Sequence, residues 1–86
     1  MCTYLTEKAE VSGSGKGADG WFPVTEACVY FDHPQHAQAE HTLNIDFQNA
    51  ARGPAARVAV ELTADSARAL VRAIEATLAS VPPGLT

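Results

Sequence analysis

The stretch RVAVELTADSARALVRAI, residues 57–74, decides the fold class because its apolar residues change their spacing at Thr63. Residues 57–62 alternate between apolar and other side chains, which predicts a β-strand. From residue 64 the apolar residues recur at helical spacing, and Thr63 is a residue type that caps helix N-termini, so we expect a helix over about residues 64–80. The apolar stripe of this helix is Ala67, Leu70, Val71, Ile74 and Leu78.

Three further strands are expected upstream, over about residues 3–11, 24–31 and 42–47. The clearest is TLNIDF, residues 42–47, in which apolar and polar residues alternate strictly. The stretch SGSGKGADG, residues 12–20, carries four glycines and is interpreted as a flexible hairpin loop. It is not a phosphate-binding loop, because Gly17 rather than Ser or Thr follows Lys16.

These elements predict one small α+β domain over residues 1–86, with a four-stranded antiparallel meander sheet and one C-terminal helix packed on one face. The connections are short enough for hairpins, which favours antiparallel neighbours. A sheet of this size keeps two free edges and a half-apolar second face, and both are liabilities for a small protein. We therefore expect a homodimer, most simply about a two-fold axis.

The composition argues against several classes of partner and location. A net charge of −4 and the absence of a basic patch argue against a nucleic-acid-binding module. No apolar run approaches the roughly 20 residues that a membrane span needs, and the N-terminus lacks the pattern of a signal peptide. We expect a cytoplasmic protein, in which Cys2 and Cys28 stay reduced.

All three histidines of the chain fall in DHPQHAQAEH, residues 32–41. Pairing of strands 1 and 2 around the glycine stretch puts position 2 opposite position 32, and pairing of strands 2 and 3 puts His33 opposite Glu40. Imidazole and thiolate ligands suit Zn, Fe, Cu or Ni. The sequence therefore predicts a transition-metal site at one end of the sheet, with Cys2, His33, His36 and His41 as ligands.

Other interpretations of these residues stay open. The histidine spacing matches no standard zinc-finger pattern. The loop is therefore also interpreted as solvated, in a non-enzymatic, homodimeric interaction or structural module. His41 is two residues before Leu43, so it falls on the same face of strand 3 as the apolar residues. In this interpretation it is a histidine at the edge of the core. A third interpretation is a small-molecule pocket between subunits, lined by Tyr4, Trp21 and Tyr30. No catalytic residue is identified.

Several stretches together are similar to a family of small actinobacterial proteins of unknown function. They are MCTYLTEK, GSGKGADGWFPVTEA, DHPQHAQAEHTLNIDF and RVAVELTADSARALVRAI, which follow one another over residues 1–79. The resemblance implies a compact domain in a cytoplasmic, actinobacterial setting. It implies no activity and no catalytic residue.

Overall fold

The computed structural model describes residues 5–86 and places four antiparallel strands in one open sheet, in the order β1-β2-β3-β4. A C-terminal helix packs on the sheet against β3 and β4. The predicted α+β class, the meander order and the single C-terminal helix are confirmed. The elements are β1 (Thr6–Gly17), β2 (Gly20–Asp32), β3 (Thr42–Gln48), β4 (Arg57–Leu62) and α1 (Ala64–Ala79).

The predicted glycine loop over residues 12–20 is wrong, because most of this stretch belongs to the β1–β2 hairpin. Strand β1 continues to Gly17 and β2 begins at Gly20, so only Ala18 and Asp19 form the turn. Gly20 has a φ of +108°, a conformation that glycine adopts without a steric penalty. The first two strands are therefore longer at the turn than their apolar patterns predicted.

Close packing explains why glycines occupy this part of β1. A Cβ atom at Gly15 would lie 2.9 Å from Cγ2 of Val24. A Cβ atom at Gly17 would lie 3.1 Å from Cε1 of Phe22. The absence of side chains at Gly15 and Gly17 thus lets Phe22 and Val24 pack against β1, and the glycines serve a strand rather than a flexible loop.

The register of the first hairpin also differs from the prediction. The predicted pairing, with position 2 opposite position 32, would place residue 6 opposite residue 28, whereas the structure pairs Thr6 with Tyr30. The turn lies beyond Gly17, and a bulge between Glu10 and Gly13 adds a residue to β1. Cys2 itself lies outside the described residues.

The buried core is small and lies at the hairpin end of the sheet. Phe22 and Val24, each 6% exposed, form its centre together with Ala56. Phe47 of β3 and Val58 of β4 pack against these residues and are partly buried. The apolar packing of the sheet is therefore concentrated at one end, while backbone hydrogen bonds pair the strands along their length.

The connection between β3 and β4 is anchored to this cluster by Asn49, which is 7% exposed. Its side-chain Nδ2 donates to the carbonyl oxygen of Pro23 at 3.0 Å, and its backbone N–H donates to Ala56 at 3.0 Å. A 3-10 turn over Ala50–Arg52 follows. The predicted turn region thus carries a buried amide that ties β2 to the β3–β4 connection.

The helix α1 is well capped but barely buried. Thr63 Oγ1 accepts a hydrogen bond from the backbone N–H of Ser66 at 3.2 Å, as its position at the N-cap predicts. None of the helix residues is buried, and the half-buried ones, Ala64 and Ala67, lie near its N-terminus. The helix ends at Ala79, one residue before its predicted end, and packs on the sheet mainly through its first turns.

The dimensions of the chain reflect this limited packing. Its accessible surface is 6412 Å², whereas a compact monomer of this mass exposes about 4,900 Å². Its radius of gyration is 14.4 Å, against about 12 Å for a compact domain of the same length. A single chain therefore leaves roughly 1,500 Å² more surface exposed than its size requires. No helix within residues 5–86 is both long and apolar enough to cross a membrane.

Candidate functional site

The three histidines lie on a loop, residues 33–41, that joins β2 to β3. At its start, Asp32 Oδ1 accepts the backbone N–H of His33 at 2.7 Å. At its end, Thr42 is fully buried and its hydroxyl donates to Asn44 Oδ1 at 2.6 Å. Polar side chains therefore fix both ends of this histidine loop.

His33 and His41 lie side by side at the base of the loop, with ring centroids 4.5 Å apart and planes 30° apart. The last pair of the β2–β3 register is Asp32 opposite Thr42, and the next position brings the two histidines together. The prediction placed His33 opposite Glu40, which is one residue away. The predicted end of the sheet is correct, and the pairing there is shifted by one residue.

The hydrogen bond of His33 determines which ring nitrogen carries a proton. Its Nδ1 lies 2.9 Å from the carbonyl oxygen of Glu40. A carbonyl only accepts, so Nδ1 is the donor, and in the neutral imidazole the lone pair is on Nε2. His41 stacks on Phe31, with centroids 5.8 Å apart and planes 10° apart. The hydrogen bond from His33 Nδ1 is of the kind that orients metal-bound histidines, in which the nitrogen that does not bind the metal donates to an oxygen atom.

Glu61 of β4 holds the middle of the histidine loop. Its Oε1 accepts the backbone N–H groups of His36 at 2.9 Å and Ala37 at 3.0 Å, and its Oε2 accepts that of Gln35. These hydrogen bonds keep the pKa of Glu61 below its ordinary value of 4.5, and the charge of His36 lowers it further. The carboxylate therefore acts as a clamp on three consecutive peptide groups.

Sequence reasoning did not identify Glu61 as part of this region. The sequence shows only that Glu61 lies between Val60 and Leu62, so its side chain is on the face of β4 opposite to theirs. Its partners lie in the β2–β3 loop, 24 to 26 residues away in the chain. No local sequence pattern predicts a contact at that separation. The clamp depends on how β4 pairs with β3 in space.

A polar groove of about 810 Å³ lies beside the loop on the sheet. Across it, Arg57 Nη2 donates to Asp46 Oδ1 at 2.8 Å, and the Tyr30 hydroxyl donates to Asp46 Oδ2 at 3.4 Å. Burial, together with the charge of Asp46, raises the pKa of Tyr30. These groups are paired with one another. Other polar residues that line the groove are Asp32, His33, Gln35, His36, Asn44 and Glu61.

The structure brings together two of the predicted metal ligands. His33 and His41 are neighbours, whereas His36 is placed with Glu61 by the clamp. In the part of the chain that the structure describes, no three His, Cys, Asp or Glu side chains form a group that could hold one ion. Cys2 lies outside that part. Cys28 is a free, half-buried thiol on β2.

An apolar groove of about 470 Å³ lies at the other end of the sheet, next to the core cluster. Trp21, which is 70% exposed, lines this groove, whereas Tyr30 lines the polar one. Of the three residues of the predicted small-molecule pocket, these two are separated within one chain and Tyr4 is outside the described residues. The apolar groove was not predicted, because its glycine-rich wall was interpreted as a loop. Its lining includes Val11, Gly13, Gly15, Lys16, Val24, Phe47 and Val58.

The helix presents a third feature, a stripe of exposed aliphatic side chains beyond the first turns, where Ala64 and Ala67 pack on the sheet. We call Leu70, Val71, Ile74 and Leu78 the helix stripe. Their exposed fractions run from 42% for Leu70 to 57% for Leu78. Leucine, valine and isoleucine are among the residue types most often buried in proteins, so their exposure on one helix face is unusual.

The chain belongs to a family of unknown function (DUF6295), whose model matches residues 1–86. The predicted resemblance to a family of unknown function is therefore confirmed, and its actinobacterial setting stays a prediction. Comparison with curated proteins gave no match. Comparison with solved structures gave none either.

Proposed function

We propose that this family member is a self-associating module in which two copies bury the helix stripe between them. The observation that carries the proposal is the exposure of four aliphatic side chains on one face of a capped, 16-residue helix. An amphipathic helix is stabilised chiefly by burying its apolar face. In this chain the sheet covers only the first turns of that face.

The surface area supports the same proposal. A specific interface of standard size buries about 800 Å² on each partner. The chain exposes roughly 1,500 Å² beyond the value for a compact monomer, so an interface of standard size would remove about half of the excess. The shallow core is consistent with a small domain that gains its stability from a partner.

The first experiment is sedimentation velocity on the untagged chain over a wide concentration range. We expect a species of twice 9.1 kDa that dissociates on dilution. Ile74→Glu places a charge in the stripe, and we expect it to raise the dissociation constant at least about 30-fold, as loss of a hot-spot residue does.

Ala69→Glu is the matched control, because it adds the same charge to the same helix on the side opposite the stripe. It should dimerise like the wild type. A wild type that stays monomeric at all concentrations would contradict the proposal. So would an Ile74→Glu variant that dimerises as tightly as Ala69→Glu.

As a second candidate function, we propose a transition-metal site based on His33 and His41. Two imidazoles that bind one tetrahedral zinc ion at Zn–N distances of about 2.0–2.1 Å must have their rings close together. The 4.5 Å between the ring centroids of His33 and His41 agrees with this requirement. The protonated Nδ1 of His33 orients the ring as a histidine ligand requires. The thiol of Cys2 is the further ligand that the sequence predicts, and His36 would join after its segment leaves Glu61.

Elemental analysis of protein purified without chelator or nickel resin tests this site. We expect about one Zn, Fe, Cu or Ni per chain in the wild type, and loss of most of it in His33→Ala, His41→Ala and Cys2→Ser. Gln38→Ala, a substitution on the same loop outside the candidate set, is the control. Wild-type protein that retains no metal after incubation with each of the four ions would rule out the site.

We also propose a cytoplasmic location, in which the Cys28 thiol stays reduced. Disulfides are rare in the cytosol, where thiols are kept reduced. Cell fractionation followed by thiol labelling of the unfolded chain would test both statements. Recovery of the protein outside the cytoplasm, or with blocked thiols, would contradict them.

A further inference from the structure

We infer that the apolar groove receives helix α1 of a second copy, so that two chains exchange helix and groove about a two-fold axis. This inference rests on the proposed self-association and names the surface that the helix stripe contacts. It accounts for both unpartnered apolar surfaces of the chain with a single arrangement. Direct pairing of two helices would leave the groove open.

The groove has a shape that suits a helix. Gly13 and Gly15 contribute no side chains, so the β1 wall is low, while the exposed indole of Trp21 rises beside it. Phe47 and Val58 of the core cluster form an apolar floor. Grooves of this kind accept helices through residues spaced by three, four and seven positions.

The helix stripe supplies that spacing. Leu70, Ile74 and Leu78 follow one another at four-residue intervals, and Val71 lies beside them. The helix residues that are half-buried lie near its N-terminus, so the stripe extends beyond the part of the helix that packs on the sheet of the same chain. The 16 residues of α1 span about 24 Å, long enough to cross several strands of a sheet.

Charge complements the apolar match. Lys16 is a charged residue that lines the groove. On the helix, Glu75 follows Val71 by four residues and therefore flanks the stripe. Docking of the stripe in a partner's groove would bring an ammonium and a carboxylate to the same rim. Such rim pairs add little affinity but help to set orientation.

Gly13→Glu tests the groove without disturbing the core. A Cβ atom at Gly13 meets nothing within 4 Å, so the variant chain has room to fold. A carboxylate there would occupy the apolar groove, and we expect the dissociation constant to rise at least about 30-fold. Thr6→Glu, an exposed position on the same strand outside the groove, should leave the dissociation constant unchanged.

A mixing experiment distinguishes this arrangement from direct helix pairing. A Gly13→Glu chain keeps a normal helix, and an Ile74→Glu chain keeps a normal groove. Their mixture therefore has one intact helix–groove contact per heterodimer, whereas each variant alone has none. With one chain fluorescently labelled, we expect the mixture to associate at least about tenfold more tightly than either variant alone.

Each outcome decides between the two statements. Association restored by mixing supports the exchange of helix and groove. If Gly13→Glu dimerises like the wild type, or mixing restores nothing, the helix does not occupy the groove, and self-association through the stripe still stands on Ile74→Glu. If the wild type is monomeric, the proposed function fails first. Circular dichroism on each variant confirms that its fold is retained.

Discussion

The hairpin end of the sheet and the helix use the same kinds of apolar residue in opposite ways. Phe22 is 6% exposed in the core cluster, whereas Ile74 is 50% exposed on the helix stripe. Ile74 belongs to the regular apolar pattern of the helix, whereas Phe22 lies just before residue 24, where the second strand was predicted to start. The difference teaches that an apolar pattern predicts an element with an apolar face, but does not identify the surface that covers it.

The histidine loop differs from both regions because polar groups hold it. Glu61 ties its middle, and Asp32 and Thr42 fix its ends. Of these groups only Thr42 is fully buried, and its hydrogen bond matters most because an unpaired buried polar group is costly. Loops held in this way respond to charge and pH, whereas the hairpin end responds to volume.

The largest effect is expected in the core cluster. Phe22→Ala should lower the free energy of unfolding by about 3–5 kcal/mol, because it removes the centre of a small core and leaves a cavity. Urea denaturation at fixed protein concentration measures the change. Leu85→Ala, at a position that is 73% exposed, is the control and should cost much less. Equal losses at the two positions would show that the cluster is not the core.

Two glycines of β1 should respond oppositely to alanine. Gly15→Ala places a methyl group 2.9 Å from the rigid Val24 side chain and should destabilise by about 1–3 kcal/mol. Gly13→Ala meets nothing and should stabilise by about 0.4–1 kcal/mol, since it restricts the unfolded chain. Thermal or urea unfolding of the pair distinguishes them. The same sign at both positions would argue for a flexible loop over this stretch.

The helix should lose a smaller amount when its cap is removed. Thr63→Ala deletes the hydroxyl that accepts the N–H of Ser66 and should cost about 1 kcal/mol. Thr63→Ser keeps a capping oxygen and should recover most of this loss. Unfolding followed by far-UV circular dichroism measures both variants. No difference between alanine and serine would mean that the cap contributes nothing.

The smallest effect is local and depends on pH. The pKa of Glu61 is lowered in the folded chain by its backbone hydrogen bonds, so the clamp is fully present above about pH 4.5, the ordinary value. It is lost as pH falls through the lower folded pKa. We expect the amide resonances of Gln35, His36 and Ala37 to titrate together with a midpoint below 4.5.

Glu61→Gln is the control for this titration, because a glutamine side chain does not ionise. The three amide resonances of that variant should no longer titrate together in this range. A midpoint above 4.5 in the wild type would contradict the lowered pKa. Persistence of the titration in Glu61→Gln would assign it to another group.

Local patterns predicted much of the fold. Alternation in residues 57–62 located β4 with its observed bounds, alternation in residues 42–47 located β3 to within one residue, and Thr63 located the start of α1. These signals are local because strand alternation and capping are properties of neighbouring residues. The end of the sheet shared by His33 and His41 was also predicted, since hairpin order alone brings those segments together.

The predictions that were wrong failed because they depend on contacts between residues far apart in the chain. The glycine stretch forms a strand because Phe22 and Val24 pack over it, a contact that composition does not encode. The turn at Ala18 and Asp19 moved the register of the first hairpin, and the bulge after Glu10 offset part of that shift. A shift of one residue changed the partner of His33. Register depends on turn position and packing together, so small errors in a turn propagate along the strand.

The sequence by itself determined an α+β meander with a capped C-terminal helix, because hydrophobic spacing and cap residues act over a few positions. Only the tertiary structure decided that Glu61 clamps the histidine loop, that His36 separates from His33 and His41, and that the helix stripe and an apolar groove stay open. Those features depend on which segments meet across the sheet. Such meetings are set by register, bulges and close packing between residues far apart in the chain.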